Sequence, residues 1–133
     1  MAIQVKEKLK SKKEKMRSSD LEERIYNLVL RLVTCVRTFN RDMASNVIAK
    51  QLFRSGTSVG ANYIEAQGGS SRKDFANFIH HSLKSAKESI FWLRLAKDTK
   101  SVKDVREIDE IKNELVEISK ILATILIKVK NRK

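Results

Sequence analysis

Proline is absent from this chain of 133 residues, and glycine occurs only four times. The first absence removes the usual helix breaker, and the scarcity of glycine leaves few tight turns. A β-rich fold built on hairpins draws on both residues, so the composition favours long helices with few connections. A single cysteine, Cys35, excludes an intramolecular disulfide. It sits in an apolar periodic run and is expected to be a buried, inert thiol. No stretch of about 18 apolar residues is present to span a membrane, and residues 1–18 lack the apolar core of a secretory signal. A cytoplasmic protein is expected.

Positive charge is in excess. Lys and Arg number 28 against 16 Asp and Glu, for a formal net charge of +12 and a pI near 10.0. Such an imbalance bears on partners rather than on fold, and it places nucleic acid ahead of a membrane surface. Residues 1–18 hold seven basic side chains, Lys12 and Lys13 among them, and two acidic ones. Their apolar content is thin, so a mobile or loosely helical basic arm is expected there, followed by one folded domain over 19–133.

Within that domain the apolar residues keep helical time. Ser19 to Glu22 fits a capping box, and Leu21, Ile25, Leu28, Leu32, Cys35 and Phe39 recur at steps of three and four, predicting a first helix over 20–40. Ile48, Leu52, Val59 and Tyr63 predict a second over 45–67. The segment Ser71 to Asp74 caps a third over 72–97, carried by Phe75, Ile79, Leu83, Ala86, Ile90 and Leu93. The segment Ser101 to Asp104 caps a fourth, whose seam is Ile108, Ile111, Leu115, Ile118, Leu122, Ile125 and Val129. Four such helices with short connections predict an all-α, antiparallel up-down four-helix bundle. From Ile121 to Val129 the fourth helix is apolar nearly all round, which a lone bundle does not bury. Ile121, Leu126 and Ile127 are therefore expected at an interface between copies of the chain.

The middle of the second helix is a poor helix former, because each interior glycine costs about 1 kcal/mol against alanine. Gly56 and Gly60 are four apart, so they share a face and let a neighbouring helix approach closely. Asn62, Glu65 and Glu88 flank this stretch; Arg54 is expected to pair with Glu65 or Glu88 between helices, since carboxylates beside a core need partners.

No enzyme signature is present. His80 and His81 are adjacent, so they point about 100° apart on a helix and do not chelate one metal. One is expected at an interface and the other exposed. No residue lies at the spacing of a zinc or di-iron motif, and no nucleophile elbow or phosphate-binding Gly-Lys-Ser/Thr surrounds any Ser, Thr or Cys. The expectation is a non-enzyme with no cofactor and no metal. The candidate functional set is basic: Lys50, Arg54, Arg72, Lys73, Lys84, Lys87, Arg94, Lys97, Lys128, Lys130 and Arg132, with Lys12 and Lys13 of the arm. Together they predict binding to the phosphate backbone of RNA or DNA. Trp92, Phe91 and Tyr63 lie in or beside the apolar stripes and are expected in the core rather than as stacking platforms.

The stretch 48–98 has a recognisable heart. It runs from Arg54-Ser55-Gly56-Thr57-Ser58-Val59-Gly60-Ala61-Asn62-Tyr63-Ile64-Glu65-Ala66 through Ser71-Arg72-Lys73-Asp74-Phe75 to Lys87-Glu88-Ser89-Ile90-Phe91-Trp92-Leu93. It resembles the 23S rRNA intervening-sequence proteins, a family similar in fold to the accessory variability protein of diversity-generating retroelements. The chain departs from many relatives at Gln67-Gly68-Gly69, where they carry charged residues. The resemblance implies an up-down bundle, a ring of five copies, and nucleic-acid binding without catalysis. In the retroelement relatives it also implies an accessory subunit that binds a reverse transcriptase and its template RNA. A purely structural oligomer is the remaining alternative.

Overall fold

The computed structural model of the protein describes residues 18–132. Among them are four helices and no strand: α1 (Ser18–Val36), α2 (Met43–Gln67), α3 (Arg72–Asp98) and α4 (Val105–Lys130). Each packs on its chain neighbour, and α1 closes the bundle against α4. One end of the bundle gathers the start of α1, the α2–α3 turn and the end of α4; the α1–α2 and α3–α4 turns form the other. The expected arm, with Lys12 and Lys13, lies outside the described residues.

The apolar stripes meet as their periodicity demands. Leu21, Ile25, Leu28 and Leu32 of α1 face Leu52, Val59 and Tyr63 of α2, with Ile79, Leu93 and the α4 seam from Ile108 to Leu122 completing the core. Each large apolar side chain so buried contributes about 1.5–3 kcal/mol relative to exposure. Gly56 and Gly60 turn toward α1. A Cβ on Gly56 would lie 2.6 Å from both methyl carbons of Leu32, and one on Gly60 would lie 3.4 Å from Val29. Serines form a polar seam between α2 and α3. Ser55 and Ser89 share a hydrogen bond of 2.8 Å, and Ser82 donates to the Val59 carbonyl at 2.7 Å, so these buried hydroxyls are satisfied.

Several boundaries differ from the periodicity. Ser19 lies inside α1 rather than capping it, because helical backbone already includes Ser18. The same helix ends at Val36, short of residue 40. Its chain must turn there so that the Asn40 N–H donates to the Ser101 carbonyl at 2.8 Å and its side-chain amide to the Lys100 carbonyl at 2.9 Å. Asp42 caps α2 and Ser71 caps α3, each accepting a hydrogen bond from the amide three residues on. Asp104, not Ser101, caps α4; Ser101 is buried and bonds to Ser45 and Thr99.

Among the described residues the one positive φ is that of Lys100 in the α3–α4 turn, at 58°. The Ser101 and Lys100 amides reach back to the Ala96 and Lys97 carbonyls at 2.9 and 3.1 Å, closing a Schellman motif. A side chain in this left-handed region costs about 1–2 kcal/mol, part of which glycine's greater unfolded freedom offsets. Lys100→Gly is therefore expected to raise stability by about 0.5–1 kcal/mol, read as a higher urea midpoint at unchanged slope.

Candidate nucleic-acid interface

The helices divide the charge unevenly. Helices α2 and α3 carry eight basic residues against four acidic; α1 and α4 carry seven against eight. Both cations of α1 are tied down onto acids of α4. Arg24 forks onto Glu114 with contacts of 2.6 and 2.8 Å, which raises its pKa further above its ordinary value. Arg31 pairs with both Glu107 and Glu110.

Helix α3 holds the opposite arrangement. Lys73, Asn77, His80, Lys84, Lys87, Phe91 and Arg94 follow one another at steps of four and three, and all seven are exposed. At 100° per residue they fall within an arc of about 100°, and at 1.5 Å rise they extend over about 32 Å. Lys73, Lys84 and Lys87 have no ion-pair partner among the described residues, and Arg94 makes only a 4.0 Å approach to Asp98. Four cations thus line one outer ridge, three of them without an ion-pair partner among the described residues.

The remaining basic residues are distributed around this ridge. Lys50 and Arg54 are exposed on α2. Arg54 pairs with Glu88, as the flanking acids suggested, and its Nε donates to Gln51 Oε1 at 3.0 Å. Glu88 also accepts from Trp92 Nε1 at 2.8 Å. Arg54 is thus partly neutralised and holds α2 to α3. Glu65 is eleven residues further along α2, about 16 Å away at the helical rise, and takes no part. Asn62 donates within its own helix to the Ser58 carbonyl. Lys97 turns to α4 and binds Asp109 at 2.9 Å, so it leaves the ridge. Arg72, Lys128 and Arg132 meet at the end of the bundle, where Arg72 Nη1 donates to the Arg132 carbonyl at 2.9 Å; Lys130 is exposed beside them.

Two expectations need correction, for Phe91 and for Leu126. Phe91 is not core: it stands 55% exposed on the cationic ridge, edge-on to Trp92 with centroids 4.9 Å apart. Its sequence neighbours are apolar, but its phase on the helix matches Lys84 and Lys87 and not Leu83 and Ile90. His80 and His81 are both exposed, since both lie on the side of α3 away from the core. Leu126 is buried in the chain's own core, at 8%, while Ile121 is partly buried and Ile127 is exposed. One residue's step rotates a helix by 100°, so neighbours in an all-apolar run part ways.

The larger exposed apolar surface belongs instead to α1 and α2. Tyr26 and Ile64 rim a groove of about 380 Å³ floored by Ile25, Val29, Gly60 and Ala61, and Leu30 and Phe53 stand exposed on the same two helices. Burial pushes the Cys35 thiol up to about 11, with Glu107 and Asp104 adding to the shift, so at neutral pH it is protonated and a poor nucleophile. Among the described residues no three His, Cys, Asp or Glu side chains converge as a metal site. Nor is any described helix long and apolar enough to cross a membrane.

Comparison with known proteins gives consistent findings. The family described as 23S rRNA-intervening sequence protein matches over residues 17–124. Among solved structures, the chain is similar to a protein of unknown function from the S23 ribosomal protein family of Bacteroides thetaiotaomicron. The two are 32% identical, the match covers 84% of this chain and 98% of that one, and the TM-score is 0.76. No curated protein matches.

Proposed function

Since the chain belongs to the 23S rRNA-intervening sequence protein family, we propose that it is a non-catalytic, oligomeric scaffold that binds structured RNA or DNA through phosphate contacts along α3. The observation that carries this reading is the exposed ridge of Lys73, Lys84, Lys87 and Arg94, of which the three lysines pair with no acid among the described residues and Arg94 only approaches Asp98 at 4.0 Å. Phosphates repeat along a nucleic-acid backbone, and a row of mobile ammonium heads matches that repeat without reading bases. His80 and Asn77 add hydrogen-bonding groups to the same row, and Phe91 offers a ring to an unpaired base. Copies of the chain would associate through the apolar groove of α1 and α2, leaving the α3 ridges outward. Five copies in a ring is the arrangement the family resemblance implies.

The test is fluorescence anisotropy with labelled structured RNA and duplex DNA across roughly 50–300 mM salt. Affinity that falls linearly on log–log axes with a slope of about −3 or steeper means several phosphates are engaged together. Loss of all binding by about 150 mM salt would leave only weak, non-specific attraction and would favour a purely structural oligomer.

A further inference from the structure

At the end of the bundle where α3 begins and α4 finishes, a cleft of about 520 Å³ is lined by Arg72, Phe75, Ile125, Lys128, Val129 and Arg132. Its composition differs from that of the α1–α2 groove. The floor is apolar, the three polar groups at its edge are all cations, and no acid lines it. The α1–α2 groove, by contrast, is bordered by Glu22 and Glu23. The volume falls in the range that accepts a small organic molecule. The cleft is also braced: Arg72 donates to the Arg132 carbonyl at 2.9 Å, tying the start of α3 to the residue just past the α4 C-cap Asn131.

An occupant must therefore have a flat or apolar body and carry negative charge. We propose that this cleft holds an unpaired nucleotide of a single-stranded nucleic-acid end or loop, its base against Phe75 and its phosphates on Arg72, Lys128 and Arg132. The proposal rests on the nucleic-acid reading of α3 and deepens it. Lys73, the first cation of the ridge, follows Arg72 directly in the chain, so a strand leaving the ridge meets the cleft next. The chain's own first seventeen residues are a poor occupant, because seven bases against two acids would bring like charge to a cationic rim.

The experiment compares two labelled hairpins with the same stem, one blunt and one with a four-nucleotide overhang carrying 2-aminopurine. Anisotropy gives the affinities, and 2-aminopurine fluorescence gives the environment of the unpaired base. The full-length protein is expected to bind the overhang hairpin about tenfold more tightly and to change the probe's fluorescence on binding. Phe75→Leu, which keeps apolar bulk and removes the ring, is expected to abolish that gain while leaving affinity for the blunt hairpin within about twofold. Circular dichroism melts establish that the variant folds. Equal affinities for the two hairpins, or a gain that survives Phe75→Leu, would overturn the proposal even though the α3 ridge binds. If neither hairpin binds at 100 mM salt, the parent reading fails instead. Displacement of a fluorescent fatty acid from the cleft, without any overhang effect, would reassign it to an anionic amphiphile.

Discussion

The Gly56→Val substitution is expected to lower stability by about 3 kcal/mol or more, through overpacking and the strain it forces, which corresponds to roughly 10–15 °C in melting temperature for a chain of this size. Even the first added carbon lies 2.6 Å from both Leu32 methyl groups. Leu32 is itself buried in the core, so it has no solvent to swing into, and either its rotamer or the spacing of α1 and α2 must give. Valine adds two further methyl groups to that collision. Gly60 provides the contrast in the same helix pair. Its added carbon would meet Val29 at 3.4 Å and Ile25 at 3.7 Å, ordinary contact distances. There the gain in helix propensity prevails, and Gly60→Ala is expected to stabilise by about 0.5–1 kcal/mol. Thermal melts of the two variants separate these signs. If Gly56→Val unfolds the protein outright, adding Leu32→Ala supplies the check. The double variant should recover part of the loss, because the two sites share one space. Additive losses would mean that the close approach of α1 to α2 is not what position 56 guards.

This pair of glycines also marks how far the sequence alone reached. Their spacing announced a close helix contact, and the contact is there, but only coordinates say that it is α1 that approaches and that the two positions differ in tightness. The α4 seam was legible because isoleucine and leucine repeat at three and four without interruption, and Ile108 through Leu122 are all buried. Where apolar residues run continuously, as from Ile121 to Val129, the period carries no phase, and Leu126 could not be told from Ile127. The end of α1 is set by a long-range contact. Phe39 continues the stripe and is indeed buried, but it is held by a turn that Asn40 fastens to Ser101, sixty-one residues away in the chain; no local signal carries that bond. The pairing of Arg54 was readable as far as its two candidate acids, and the choice of Glu88 over Glu65 needed the relative height of α2 and α3. The cations of the α3 ridge were legible as a basic set, but its seven members are of five residue types, so Asn77, His80 and Phe91 carry no charge signal that joins them to it.

Reversing the charge of Lys84 and Lys87 together is expected to weaken nucleic-acid binding by on the order of 100-fold near 100 mM salt and to reduce the log–log salt slope by about 2. Both side chains are exposed at the middle of the α3 ridge and pair with no acid among the described residues, so Lys84→Glu with Lys87→Glu should leave the melting temperature nearly unchanged. The total charge falls from +12 to +8, and a generic loss of attraction must be separated from the loss of a site. Arg106→Glu with Lys120→Glu removes the same charge from exposed positions on α4. That helix lies on the side where acids already balance bases, so this control is expected to cost no more than about threefold. Equal losses in the two variants would assign binding to the overall field of the molecule and not to α3. Unequal losses follow from where phosphates sit, since screening at 100 mM confines a surface charge's reach to about 10 Å, less than the thickness of two packed helices. A nucleic acid lying along α3 would feel Lys84 and Lys87 in full, while the cations of α4 would act on it through screened solvent and the bundle's own acids.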